Sequence, residues 1–70
     1  MKFEDFTLDE VFYTATGRWV CVDKGLHSGI IIAVTDCDWD AGWRHGAYWL
    51  VDFVVFCDYD FDGCSKTVIK

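Results

Sequence analysis

Apolar positions along this chain fall in short runs rich in β-branched and aromatic residues, separated by glycine and aspartate. Such side chains suit a pleated, half-buried surface, so the pattern predicts strands. Val11-Phe12-Tyr13-Thr14-Ala15 reads as the first strand. Thr16-Gly17 then offers a tight turn, glycine reaching a positive φ at little steric cost. Arg18-Trp19-Val20-Cys21-Val22-Asp23 is the second strand, ended by Lys24-Gly25 and a loop to Ser28-Gly29. Ile30-Ile31-Ile32-Ala33-Val34-Thr35 is apolar on both faces, which places it centrally in a sheet. Three runs joined by short glycine-bearing connections make a meander.

The flanking pattern is less regular. The opening Phe3–Glu10 carries a capping-box pair, Thr7 with Glu10. The residues after Glu10 lack a helical period, so at most a short turn is expected there. Asp36–Gly46 reads as a polar loop containing Trp39 and Trp43. In the longest apolar run, Ala47–Cys57, Leu50, Phe53, Val54 and Cys57 would line one side of a helix. Tyr48, Trp49, Val51 and Phe53–Phe56 are nevertheless poor helix formers and good strand formers, which predicts a strand. Thr67-Val68-Ile69 adds a short edge strand. The expected fold is mainly β, one domain over residues 1–70. It is a small antiparallel meander of four to five strands, closed as an SH3-like barrel or a rolled sheet, with at most one short helix.

Seventy residues is near the lower limit for a single hydrophobic core. Thirteen aromatic residues offset this (six Phe, four Trp, three Tyr), because each buried ring hides about 150–250 Å². No stretch reaches the roughly 20 apolar residues of a membrane helix. Met1-Lys2-Phe3-Glu4-Asp5-Phe6 has acids where a signal peptide would have its apolar run. The expectation is therefore the bacterial cytosol, with no membrane partner. There, Cys21, Cys37, Cys57 and Cys64 read as reduced thiols acting as small hydrophobes. A zinc site, with His27 or His45, is the alternative, but C-x₂₋₄-C spacing is absent.

Charge changes the picture most. The net charge is −6, and residues 36–62 hold seven Asp (36, 38, 40, 52, 58, 60 and 62) against one base, Arg44. The remaining residues hold five acids and five bases. Such a chain repels nucleic acid and anionic membranes and attracts a basic protein surface.

Two acidic runs stand out. Asp36-Cys37-Asp38-Trp39-Asp40 and Asp58-Tyr59-Asp60-Phe61-Asp62 alternate carboxylates with larger residues. In extended chain, alternate residues share a face about 6.6–6.8 Å apart. Each run would then present three carboxylates in a row, resembling a nucleic-acid backbone to a basic groove. Ordinary acidic loops are the plainer reading. Trp39, flanked by Asp38 and Asp40, is the best candidate for a contact aromatic, with Tyr59 beside it. Trp19, Trp43 and Trp49 are more usual as core. Arg44-His45 is placed to pair internally with the acids.

Asp58–Gly63 also matches the first half of an EF-hand calcium loop, but its ninth and twelfth positions are Lys66 and Ile69. Half the ligand set is missing. Catalytic patterns are weak: His27 and His45 are isolated, and Ser28 beside His27 is no triad. The residues assign no catalytic group, no metal and no cofactor.

Asp9–Trp19, together with Tyr59-Asp60-Phe61-Asp62-Gly63-Cys64, resembles a family of short uncharacterised bacterial proteins in which similar ends bracket a variable middle. Where that family has a Gly-Pro-Pro-Tyr type turn, this chain has Gly42-Trp43-Arg44-His45-Gly46-Ala47-Tyr48. Its size and acidity are also similar to those of phage-borne anti-CRISPR proteins directed against type I-C systems. That resemblance implies a monomer in the host cytoplasm that docks on the basic DNA channel of Cascade, on its large subunit, and blocks recognition of target DNA.

The leading expectation is thus an acidic DNA mimic that binds a basic DNA-binding protein surface and no nucleic acid directly. Asp36, Asp38, Asp40, Asp58, Asp60 and Asp62 supply charge, while Trp39 and Tyr59 add apolar contact. The alternatives are a cytosolic metal-binding domain and an SH3-like accessory domain that binds through its aromatics.

Overall fold

The apolar runs of the first half form strands in the computed structural model, which describes residues 1–68. The four strands are β1 (Val11–Thr14), β2 (Gly17–Gly25), β3 (Ile30–Thr35) and β4 (Val54–Phe56). They pair antiparallel in the order β1-β2-β3-β4, the meander expected from the sequence. β1 and β4 lie at opposite edges, so the sheet is open. Thr14 pairs with Gly17 across a two-residue turn, and Gly17 takes φ 152°, which L side chains rarely adopt.

β2 and β3 pair Cys21 with Ala33 and then Asp23 with Ile32, leaving Val22 as the extra residue of a bulge. The shift moves Lys24 onto the same face as Ile31, its partner. There its Nζ donates to the Phe6 carbonyl at 2.8 Å and stands 4.4 Å from the Phe3 ring centroid. One register slip thereby ties the N-terminal segment to the sheet.

That face carries the main core. Phe12, Cys21, Ile31, Ala33 and Phe56 come from the strands; Phe6, Phe61 and Cys64 close over them. The rings meet in sequence at centroid distances of 4.9 Å (Phe61–Phe6), 5.0 Å (Phe6–Phe12), 5.4 Å (Phe12–Phe56) and 5.3 Å (Phe56–Trp19). The last three are edge-to-face, the arrangement that ring quadrupoles favour. Trp19 also satisfies its indole N–H on Thr14 Oγ1 at 3.0 Å. Val20 and Val34, paired across β2 and β3, are buried outside this cluster. Helix α1 (Asp36–Ala41) packs against the same two strands.

Several boundaries differ from expectation. Of residues 47–57, only Val54–Phe56 is strand, and Tyr48–Leu50 is a 3₁₀ turn. β3 offers this edge only Ile31–Ala33 as partners, and strand propensity without a partner yields no ladder. The opening contains a 3₁₀ turn at Phe3–Asp5, and Glu10 N–H closes a further turn on the Thr7 carbonyl at 3.1 Å. Of the expected tail strand, Thr67 and Val68 lie outside strand structure and Ile69 lies outside the described residues. Ser65 instead bridges Tyr13, exchanging backbone bonds of 2.7 and 2.9 Å. That bridge occupies the outward backbone groups of Tyr13 on the β1 edge.

Phe12→Ala is expected to cost about 3–5 kcal/mol in urea unfolding, because the ring sits at the middle of the aromatic series. Phe53→Ala, which removes an exposed ring, is expected to change stability by about 0.5 kcal/mol or less in the same assay.

Candidate partner-binding surface

Both acidic runs are helical, not extended. Asp36–Ala41 is α1, and Asp58–Phe61 is a single turn, α2. At about 100° per residue, Asp36 and Asp40 share one side of α1 while Asp38 lies on the other. Asp58 and Asp62 are separated from Asp60 in the same way. The expected rows of three carboxylates therefore do not form. The cause is local: Thr35 Oγ1 accepts the Asp38 N–H at 3.2 Å, capping α1, and the Cys57 N–H donates to Asp60 Oδ2 at 2.9 Å, starting α2. Acids in a first turn are also favoured by the partial positive charge of a helix start. Thr35-x-x-Asp38 is a legible capping signal in the sequence, outweighed there by the alternation.

These partnerships divide the carboxylates. Asp60 is engaged at the start of α2. Asp58 Oδ1 accepts the Tyr59 N–H at 2.9 Å. Asp40 meets Arg44 at 3.4 Å, the internal pairing expected of that arginine. Both side chains are exposed, so the pair contributes little. Asp36, Asp38 and Asp62 have no side-chain partner among the described residues. The two turns are anchored separately, α2 through Phe61 in the main core and α1 against β2 and β3.

The aromatic candidates split. Tyr59 is 78% exposed. Its phenol titrates above the usual value, first because of the neighbouring Cys57 thiol, with the charges of Asp60 and Asp58 acting in the same direction. Trp39 is half-buried. Trp43 stacks at a tilt on Tyr48, centroids 4.6 Å apart. The most exposed tryptophan is Trp49, at 80%, which its apolar neighbourhood in the sequence assigns to the core. Phe53 (58%), Val54 (42%) and Val55 (43%) are exposed as well and make an apolar margin on and just before β4.

All four cysteines are free thiols, with Cys21 and Cys64 buried, Cys57 half-buried and Cys37 exposed. Burial pushes the Cys21 and Cys64 thiols above their ordinary value. Among the described residues, no group of three or more His, Cys, Asp or Glu side chains could hold a metal ion. A shallow depression of about 320 Å³ beside the β1–β2 turn is lined by Tyr13, Thr14, Thr16 and Arg18 among others. No described helix is long and apolar enough to cross a membrane.

Fold and surface together define a small acidic meander-sheet domain with two anchored acidic turns and an exposed aromatic margin. Among family models, curated proteins and solved structures the chain has no match, so the resemblance drawn from its two ends rests on those residues alone.

A thiol reagent at neutral pH is expected to modify Cys37 first and to leave Cys21 and Cys64 unmodified until denaturant is added; equal rates at all four would contradict the burial. Because the folded state holds the Cys21 and Cys64 protons more tightly, this contribution to stability is intact below the ordinary thiol value of 9.0 and is lost as pH rises through the raised folded values. Unfolding titrations at pH 7 and pH 10 measure it. Asp60→Ala is expected to cost about 1 kcal/mol by removing the acceptor for Cys57 N–H, whereas Asp62→Ala should be near neutral in the same titration.

Proposed function

We propose that this protein is an acidic binding module that occupies a basic, DNA-binding protein surface and so excludes the DNA. The observation that carries the reading is the segregation of seven aspartates against one arginine within residues 36–62, with Asp36, Asp38 and Asp62 left without side-chain partners among the described residues. Unpaired surface carboxylates keep their field available to a cationic partner and speed encounter with it. Binding, not catalysis, is the mode, and the charge is offered as two helical clusters instead of two strand-spaced rows.

The resemblance in size and acidity to phage-borne anti-CRISPR proteins supplies the particular target: the DNA-binding surface of a type I-C Cascade complex, at its large subunit. In that role the protein works as a cytoplasmic monomer of the infected bacterium. A second reading, an accessory domain that contacts a protein through aromatics, is favoured by the exposure of Trp49 and Tyr59.

The test is binding of type I-C Cascade to its target DNA with and without this protein, at low and high salt. Inhibition is expected at low salt and should fade as salt screens the carboxylates. Asp36→Lys with Asp38→Lys probes α1 and Asp62→Lys probes α2; loss of inhibition in one variant alone identifies the docking side. Inhibition that persists through salt and reversal but fails in Trp49→Ala would favour the accessory reading. No inhibition at large excess removes Cascade as the target.

A further inference from the structure

The two edges of the sheet are treated differently. At β1, the chain's own Ser65 pairs with Tyr13. Among the described residues, β4 has β3 on one side and no strand on the other. Strand parity identifies what this edge offers. Cys21 directs its backbone groups toward Asp9 and Glu10, away from β3. Its partner Ala33 therefore points toward β4, and the Ala33↔Val54 and Ile31↔Phe56 pairs exchange the β3–β4 bonds. Val55 lies between them, so its N–H and C=O face outward. Phe53, Val54 and Val55, on and just before the strand, keep exposed side chains, on an edge of the kind proteins ordinarily cover or charge.

The flanks of β4 select the occupant. Asp52 precedes the strand and Asp58 follows it, and no Lys, Arg or His occurs from Gly46 to Ser65. A second copy is disfavoured. The antiparallel register that pairs all three β4 residues with their counterparts centres on Val55. It brings the Asp52 end of each copy's strand to the end from which the other copy's α2 starts at Asp58, so like charges meet at both ends. An extended segment with alternating apolar residues and a cation at each end meets the same edge with favourable contacts throughout.

We propose that the β4 edge accepts an extended, cation-flanked segment of a protein partner as a fifth strand, bonded to Val55 and held at its ends by Asp52 and Asp58. The sign of the partner's charge rests on the acidic-binding reading above; the mode of contact goes beyond it.

The test uses a capped peptide, Lys-Lys-Thr-Val-Thr-Val-Thr-Lys-Lys, titrated into the labelled protein, with amide shifts and hydrogen exchange as readouts. The Val55 N–H is expected to become protected as the peptide is added. Binding should weaken about tenfold or more in Val55→Pro, a change that removes an outward N–H and is tolerated at an edge. Should that variant fail to fold, Asp52→Lys with Asp58→Lys answers the same question: it should lose the Lys-flanked peptide and gain one with Glu in place of Lys. Peptide shifts confined to α1 and α2, with Val55 unprotected, would overturn the edge site and leave acidic docking standing. Val55 protection without peptide, accompanied by a dimeric mass in sedimentation, would overturn it in favour of a second copy. Retained inhibition of Cascade in folded Val55→Pro with loss of inhibition in the α1 variant would separate the two proposals.

Discussion

A series of aromatic rings running Phe61–Phe6–Phe12–Phe56–Trp19 is the constraint on which the rest of this small domain depends. It joins the N-terminal segment and the acidic turn α2, which the backbone ladder would leave apart, to both edge strands and to β2. At this chain length, few aliphatic contacts can be made per residue, and large flat side chains bury the most surface for the least conformational entropy. The open sheet needs this, because β4 contributes only three paired residues. Phe56 holds that strand by contacting both Phe12 and Trp19.

The same packing decides where charge can go. With one face of the sheet closed by aromatics and Val20 and Val34 buried apart from them, six of the seven acids of residues 36–62 lie on the two short helices or next to them, and Asp52 lies before β4. Half of the six carboxylates in the two runs are engaged locally: Asp60 and Asp58 at the start of α2, and Asp40 with Arg44. Helix initiation thus accounts for part of the acidity, and Asp36, Asp38 and Asp62 are the remainder that structure does not consume. A surface function is most economically assigned to that remainder and to the apolar margin of β4, which packing leaves exposed. The two features are compatible with one cationic partner, since the margin itself is bounded by aspartates.

The first three strands and their meander order were legible in the sequence, as were the density of the core and the segregation of negative charge. The turn between β1 and β2 was expected at Thr16-Gly17 and lies one residue earlier, at Ala15-Thr16, with Gly17 opening β2. Each legible feature is a property of neighbours along the chain: side-chain alternation, β-branching, a glycine where φ must be positive, a count of carboxylates. The state of residues 47–57, the geometry of the acidic runs and the choice between Trp39 and Trp49 as the exposed tryptophan were decided only by the tertiary structure. A strand exists only where another strand supplies partners in register, and β3 supplied three. An Asp-x-Asp-x-Asp run is compatible with either backbone until a cap such as Thr35 commits it to a helix. Burial of a tryptophan depends on what folds over it from distant parts of the chain, and no local pattern contains that information.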